Sequence, residues 1–115
     1  MRPLLCFFLT AVLLSVTSPA FAQAYVNGNR LLELLESRDV ASRNAAHGYI
    51  QGVVDAIWFT ASAMSTPMLC LPDGVTPGQL AEIIQNHYRR FPERRHYGAS
   101  GEIYGAINEK FRCTR

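Results

Sequence analysis

Apolar residues along this chain return at intervals of three and four, and no stretch alternates apolar with polar residues long enough to make a strand. The pattern predicts helices. In "NRLLELLES", Leu31, Leu32, Leu34 and Leu35 fill one or two turns after Asn27-Gly28, a weak helical signal that the polar connection "SRDVASRN" closes. A second helix is predicted from about Ser42 to Met64, with Ile50, Val53, Val54, Ile57, Ala61 and Met64 at inward spacing. Between Arg43 and Asp73 the only formal charge is Asp55. A helix apolar most of the way round is central in a core or covered by a partner, and Trp58 and Phe59 on different sides suggest both. Gly48, Gly52 and Ala56 recur every four residues. That spacing would admit another helix backbone closely, compensating the ~1 kcal/mol that an interior glycine costs. Asp55, inside so apolar a helix, is expected to be paired, hydrogen-bonded or protonated.

"STPMLCLPDG" breaks the pattern at Pro67 and Pro72. Four signals then agree on one helix start. With Thr76 as N-cap, Pro77 takes the first helical position, where its missing N–H is harmless. Gln79 completes a capping box, and Val75 and Leu80 form a hydrophobic staple. Leu80, Ile83, Ile84, His87, Tyr88 and Phe91 make the inward stripe; Glu82, Gln85, Asn86, Arg89 and Arg90 make the outer one. Pro92 stops the helix, and the basic connection "PERRHYG" leads to a last helix from about Ala99 to Phe111, with Ala99, Ile103, Ala106, Ile107 and Phe111 inward. The predicted fold class is all-α: a small four-helix domain in which the third and fourth helices lie antiparallel.

Composition changes this picture first at the N-terminus. Arg2 precedes an apolar run from Leu4 to Val16 and the pattern Ala20-Phe21-Ala22, which predicts a cleaved signal peptide over 1–22 and a single mature domain over 23–115. The run is shorter than the ~20 residues that span a bilayer, so no membrane anchor is expected. Cys6 is discarded with the peptide in this reading. The mature part then holds Cys70 and Cys113, most simply a disulfide in an oxidising compartment, with an intermolecular bridge or free thiols as the alternatives. Antiparallel third and fourth helices bring the two cysteines together. Closing a loop of this length gives ~4 kcal/mol in the chain-entropy treatment. With 11 Lys and Arg against 9 Asp and Glu, the balance gives no argument for nucleic acid.

Catalytic chemistry does not assemble. His47, His87 and His96 lack metal-ligand spacing with carboxylates or cysteines, and Ser100 in "GASGE" lacks a nucleophile-elbow pattern. No catalytic residue, metal or cofactor is assigned. Arg89, Arg90, Arg94, Arg95 and His96 cluster at the corner between the third and fourth helices, and such a charge can steer an acidic partner.

The order "YVNGNRLLELLES", "GYIQGVVDA", "CLPDGVTPGQLAEIIQNHYRRFPERRH" and "FRC" resembles the Rap/Tai family of type VI secretion immunity proteins. The resemblance covers nearly the whole mature chain, and C-x-P-x-G-V-T-x-G-Q-L followed by "YRRFPE" is its most specific part. It implies a small all-α periplasmic protein, often a homodimer, that occludes the substrate groove of a peptidoglycan amidase without performing catalysis. Relatives commonly carry a further cysteine pair where this chain holds Leu34 or Leu35 and Ala46 or His47. The expectation here is a first helix held by packing alone. Contact surfaces vary between cognate pairs, so the exposed face of the third helix and the corner after it are nominated: Glu82, Gln85, Asn86, Arg89, Arg90, Arg94 and Arg95. The alternative reading is a small periplasmic acid-stress chaperone with one disulfide, to which the apolar second helix and Asp55 also conform.

Overall fold

The computed structural model describes residues 25–114; the predicted signal peptide and the mature start near Gln23 lie outside the described residues. Side-chain caps decide where three of the helices begin. Asn27 Oδ1 accepts from the Arg30 amide at 2.9 Å and opens α1, Gly28–Glu36. Asp39 accepts from both the amide and the hydroxyl of Ser42 at 2.8 Å and opens α2, Val40–Met64, two residues ahead of the position expected from apolar spacing. The same Ser42 hydrogen bonds hold the Asp39 carboxyl below its usual range. Thr76 opens α3, Pro77–Arg90. A short 3-10 turn, Pro92–Arg94, connects it to α4, Ala99–Lys110. The described residues are all-α apart from one isolated bridge between Asn27 and Gly98.

All four helices contribute to one core. Leu31, Leu32 and Leu35 of α1 meet Ala46, Ile50 and Val54 of α2, while α3 supplies Leu80, Ala81, Ile84 and Tyr88, and α4 supplies Ala99, Ile103, Ala106 and Ile107. Each large side chain fully buried this way stabilises by ~1.5–3 kcal/mol. The predicted disulfide is present: Cys70, ahead of α3, is bonded to Cys113, beyond α4, with Cα atoms 5.0 Å apart. It ties the start of one helix to the end of its neighbour.

Three expectations are corrected. First, α1 is not held by packing alone. The Gly28 amide donates to Tyr97 O at 3.0 Å, the Asn29 amide to Arg95 O at 2.7 Å, and the Ala99 amide to Val26 O at 2.8 Å, so backbone bonds stitch its start to the α3–α4 corner. Arg89 and Glu36, 3.0 Å apart, pair across its other end, although both are half exposed and such a pair is worth only ~0–1 kcal/mol. Second, among the described residues no helix packs on Gly48 or Gly52, where an added Cβ would meet nothing within 4 Å. Third, Asp55 is exposed, and so is Met64 at 65%. Gly48, Gly52 and Asp55 lie on the side of α2 turned away from buried Ile50 and Val54, whereas Met64 lies well past Val54, the last buried residue of the helix.

Gly28 is required by contact. A Cβ there would lie 2.5 Å from Tyr88 Cε1 and 2.8 Å from the Arg95 Cα, and the second atom belongs to backbone that cannot swing away. Beneath it, the Tyr88 hydroxyl is buried with no hydrogen-bond partner among the described residues. Burial, with the Glu102 and Tyr49 charges adding to it, pushes the phenol's pKa upward. Denaturant unfolding should therefore separate two small changes at one place. Gly28→Ala should destabilise by about 1–3 kcal/mol through overpacking. Tyr88→Phe should leave stability within about 1 kcal/mol of the parent or raise it, since it removes an unsatisfied buried hydroxyl.

Candidate partner-binding surface

The outer face of α3 is aimed by the way the helix starts. Thr76 Oγ1 accepts from the Gln79 amide at 3.2 Å and Gln79 Oε1 accepts from the Thr76 amide at 2.8 Å, a reciprocal capping box with Pro77 inside it. Gly74, at φ 85°, takes the left-handed turn that leads in. Half-buried Val75 and buried Leu80 complete the staple. Along the helix that follows, Glu82, Asn86, Arg89 and Arg90 are exposed and Gln85 is half-buried.

The corner beyond α3 is organised by a buried carboxylate. Glu102, in the first turn of α4, is 6% exposed, yet it carries a charge that burial alone would make costly. Arg94 answers with a forked contact, Nε to Oε2 at 2.6 Å and Nη2 to Oε1 at 2.8 Å, and His87 Nε2 lies 2.8 Å from the same Oε2. Three elements therefore meet on one side chain. Burial raises the Glu102 carboxyl's pKa, but the hydrogen bonds from Arg94 and His87, with the Arg94 charge, outweigh it and hold the carboxyl below its usual range. Glu102 in turn raises the Arg94 guanidinium. Arg95 is also committed, its Nε donating to Tyr88 O at 2.7 Å.

The corner that reads as five adjacent positive side chains is thus largely cross-linked to the fold. Arg89 holds Glu36, Arg94 holds Glu102, and Arg95 holds the end of α3. Arg90 makes no ion pair among the described residues and lies over the Phe91 ring at 5.1 Å. His96 stacks on exposed Tyr97 with ring centroids 4.1 Å apart, and Arg94 lies 5.7 Å from the same ring. Between α3 and α4 runs a groove of about 380 Å³ bordered by Phe91, Glu93, Arg94 and Glu109, with His87, Glu102 and Gly105 in its floor. Glu82, Gln85, Asn86 and Arg90 form one continuous strip of α3 beside this corner.

The sequence pattern of the Rap1a immunity proteins matches residues 18–113. The chain belongs to the Rap1a immunity protein family. No curated protein and no solved structure matches it. Within this Rap1a-family domain the described residues contain no helix long and apolar enough to cross a membrane. The face of α3 and the corner after it are presented by a disulfide-tied, capped and internally paired scaffold.

Reading the residues singly misses the Glu102 tie. Glu102 lies three residues after Ala99 and four before Ala106, which places a carboxylate on the buried stripe of α4. That spacing is the signal for a buried pair, and His87 on the inward stripe of α3 is its counterpart. Because the folded carboxyl is held below its ordinary 4.5, the unfolded chain takes up a proton first on acidification, and the tie's contribution drains away as pH falls through the folded value. Thermal melts from neutral pH to below 4.5 should show Glu102→Gln less stable at neutral pH and with a shallower acid slope than the parent. Parallel slopes would remove Glu102 as an acid-linked group.

Proposed function

We propose that this Rap1a-family domain is a periplasmic immunity protein that binds a peptidoglycan amidase delivered by type VI secretion and blocks its substrate groove. Family membership over residues 18–113 carries the reading. In it the domain acts by occupancy alone, as a binding module without catalytic residues, metal or cofactor, and it works as a homodimer on the exported side of the membrane. The signal peptide predicted over 1–22 and the Cys70–Cys113 bridge suit that compartment.

The proposed contact surface is the strip Glu82, Gln85, Asn86 and Arg90, continued by the half-exposed guanidiniums of Arg89 and Arg94 and by Arg95 at the corner. A polar surface whose side chains are already held by internal bonds loses little freedom on binding, which favours affinity without a large apolar area. Arg90, free of an internal ion pair, is the natural steering charge.

Purified protein mixed with the amidases encoded in adjacent reading frames tests the function. A complex and protected peptidoglycan are expected from one of them; failure with every neighbour would overturn the reading. Given a complex, Arg90→Glu should slow association by about tenfold or more at low salt, with the gap narrowing as salt is raised, and leave the melting temperature unchanged. An unchanged association rate would move the interface away from α3.

A further inference from the structure

Past Val54, α2 has no buried residue, and the chain's own return lies against it. Ser65 ends the helix at φ 51° and ψ 34°, the left-handed region that favours glycine, and the Thr66 amide donates to Ala61 O at 3.0 Å. The chain doubles back there. A cleft of about 310 Å³ opens between the last turns of α2 and the segment that runs to Leu69. Leu69 is buried and Cys70 after it is bonded to Cys113, so the returning wall is anchored.

Three kinds of surface line the cleft. Trp58, 51% exposed, offers a flat aromatic ring; Ala61 and Leu69 offer aliphatic carbon; Ser62, Ser65 and Thr66 offer hydroxyls. The Thr66 hydroxyl donates to Met64 O at 3.2 Å and keeps an oxygen that can accept, while the Ser62 and Ser65 hydroxyls have no partner among the described residues. Glycine would hold the Ser65 turn with less strain, but it would remove a hydroxyl from the cleft. No lining residue is charged. Mostly apolar walls with a few placed polar groups are the make-up of small-molecule sites, and the volume falls at the lower end of their ~300–1,000 Å³.

We propose that the cleft binds a neutral sugar ring, an N-acetylhexosamine unit of a glycan strand, stacked on Trp58. Each alternative occupant leaves something unmatched. A charged ligand would find no counter-charge, and an acyl chain or an apolar side chain of a protein would cover three hydroxyls without bonding them. A pyranose carries a face of C–H bonds that suits an indole and an edge of hydroxyls that suits serine and threonine. Its acetamido group adds a methyl for Ala61 and Leu69, and an N–H and a C=O for the hydroxyls. The sugar chemistry stands on the cleft. The choice of a glycan strand rests on the reading above, since peptidoglycan is the polymer on which the proposed amidase acts. The cleft shares no residue with the strip on α3, so a variant in one can leave the other intact.

Trp58 is the chain's only tryptophan, so its fluorescence reports on the cleft directly. Titrating the purified protein with the tetramer of N-acetylglucosamine should give a saturable shift in Trp58 emission, and purified peptidoglycan sacculi should carry the protein down on sedimentation. Ser62→Arg, at an exposed position, should abolish both effects and leave the melting temperature unchanged. Trp58→Phe, which keeps an aromatic ring, should retain the sacculus binding that Trp58→Ala loses. No shift with the tetramer, a shift with decanol alone, or a Ser62→Arg protein that binds as the parent does would overturn the sugar site. The amidase complex separates this inference from the reading it rests on. An amidase complex without sugar binding overturns the cleft alone; sugar binding without any amidase complex overturns the immunity reading and leaves the cleft standing.

Discussion

The Glu102 carboxylate sets the terms for much of this domain. A buried negative charge is tolerable only where donors converge on it, and here they come from the end of α3 and from the 3-10 turn. The geometry of the corner follows. Arg94 cannot fork onto both oxygens unless Pro92–Arg94 turns tightly, and that turn delivers Arg95 to Tyr88 O and the Arg95 and Tyr97 carbonyls to the start of α1. One buried charge therefore orders a segment that has little apolar content of its own.

This alters what a cluster of arginines means. Counted along the chain, the corner is a strongly positive patch; counted after internal pairing, two of its four arginine charges are matched by carboxylates within the fold. The electrostatic character offered to a partner is milder and more directional. It comes from Arg90 and from the unsatisfied edges of forked guanidiniums, set among neutral amides at Gln85 and Asn86.

The features legible in the sequence are those written in local spacing. The capping box at Thr76, the staple of Val75 and Leu80, the stop at Pro92 and the inward stripes of α3 and α4 all act within a few residues, and the structure has them. The cysteine pair was legible because antiparallel neighbours bring their ends together. Contacts between distant segments were not. The bonds that hold α1 to the corner are backbone N–H to carbonyl, and every residue but proline carries those groups, so no side chain announces them. Along α2, apolar periodicity reports what water should not touch but not what covers it, and so Asp55, expected inside an apolar environment, lies exposed. The candidate surface stood between these cases: the outward placement of its residues was legible in the α3 pattern, while the commitments of Arg89, Arg94 and Arg95 to Glu36, Glu102 and Tyr88 required the fold.

The bridge between Asn27 and Gly98 bears on how the chain comes to be folded at all. A polypeptide is made and delivered from its N-terminus, and α1 has no docking site until the residues that follow the 3-10 turn have arrived. Cys70 likewise waits for Cys113, 43 residues further along. The domain is closed at both ends by contacts of long sequence separation, which form slowly because loop-closure entropy must be met first. Until the corner residues and Cys113 have been made, the first helix and one thiol remain without their partners, so the ties that fix the corner and the entry to α3 come late in the formation of the domain.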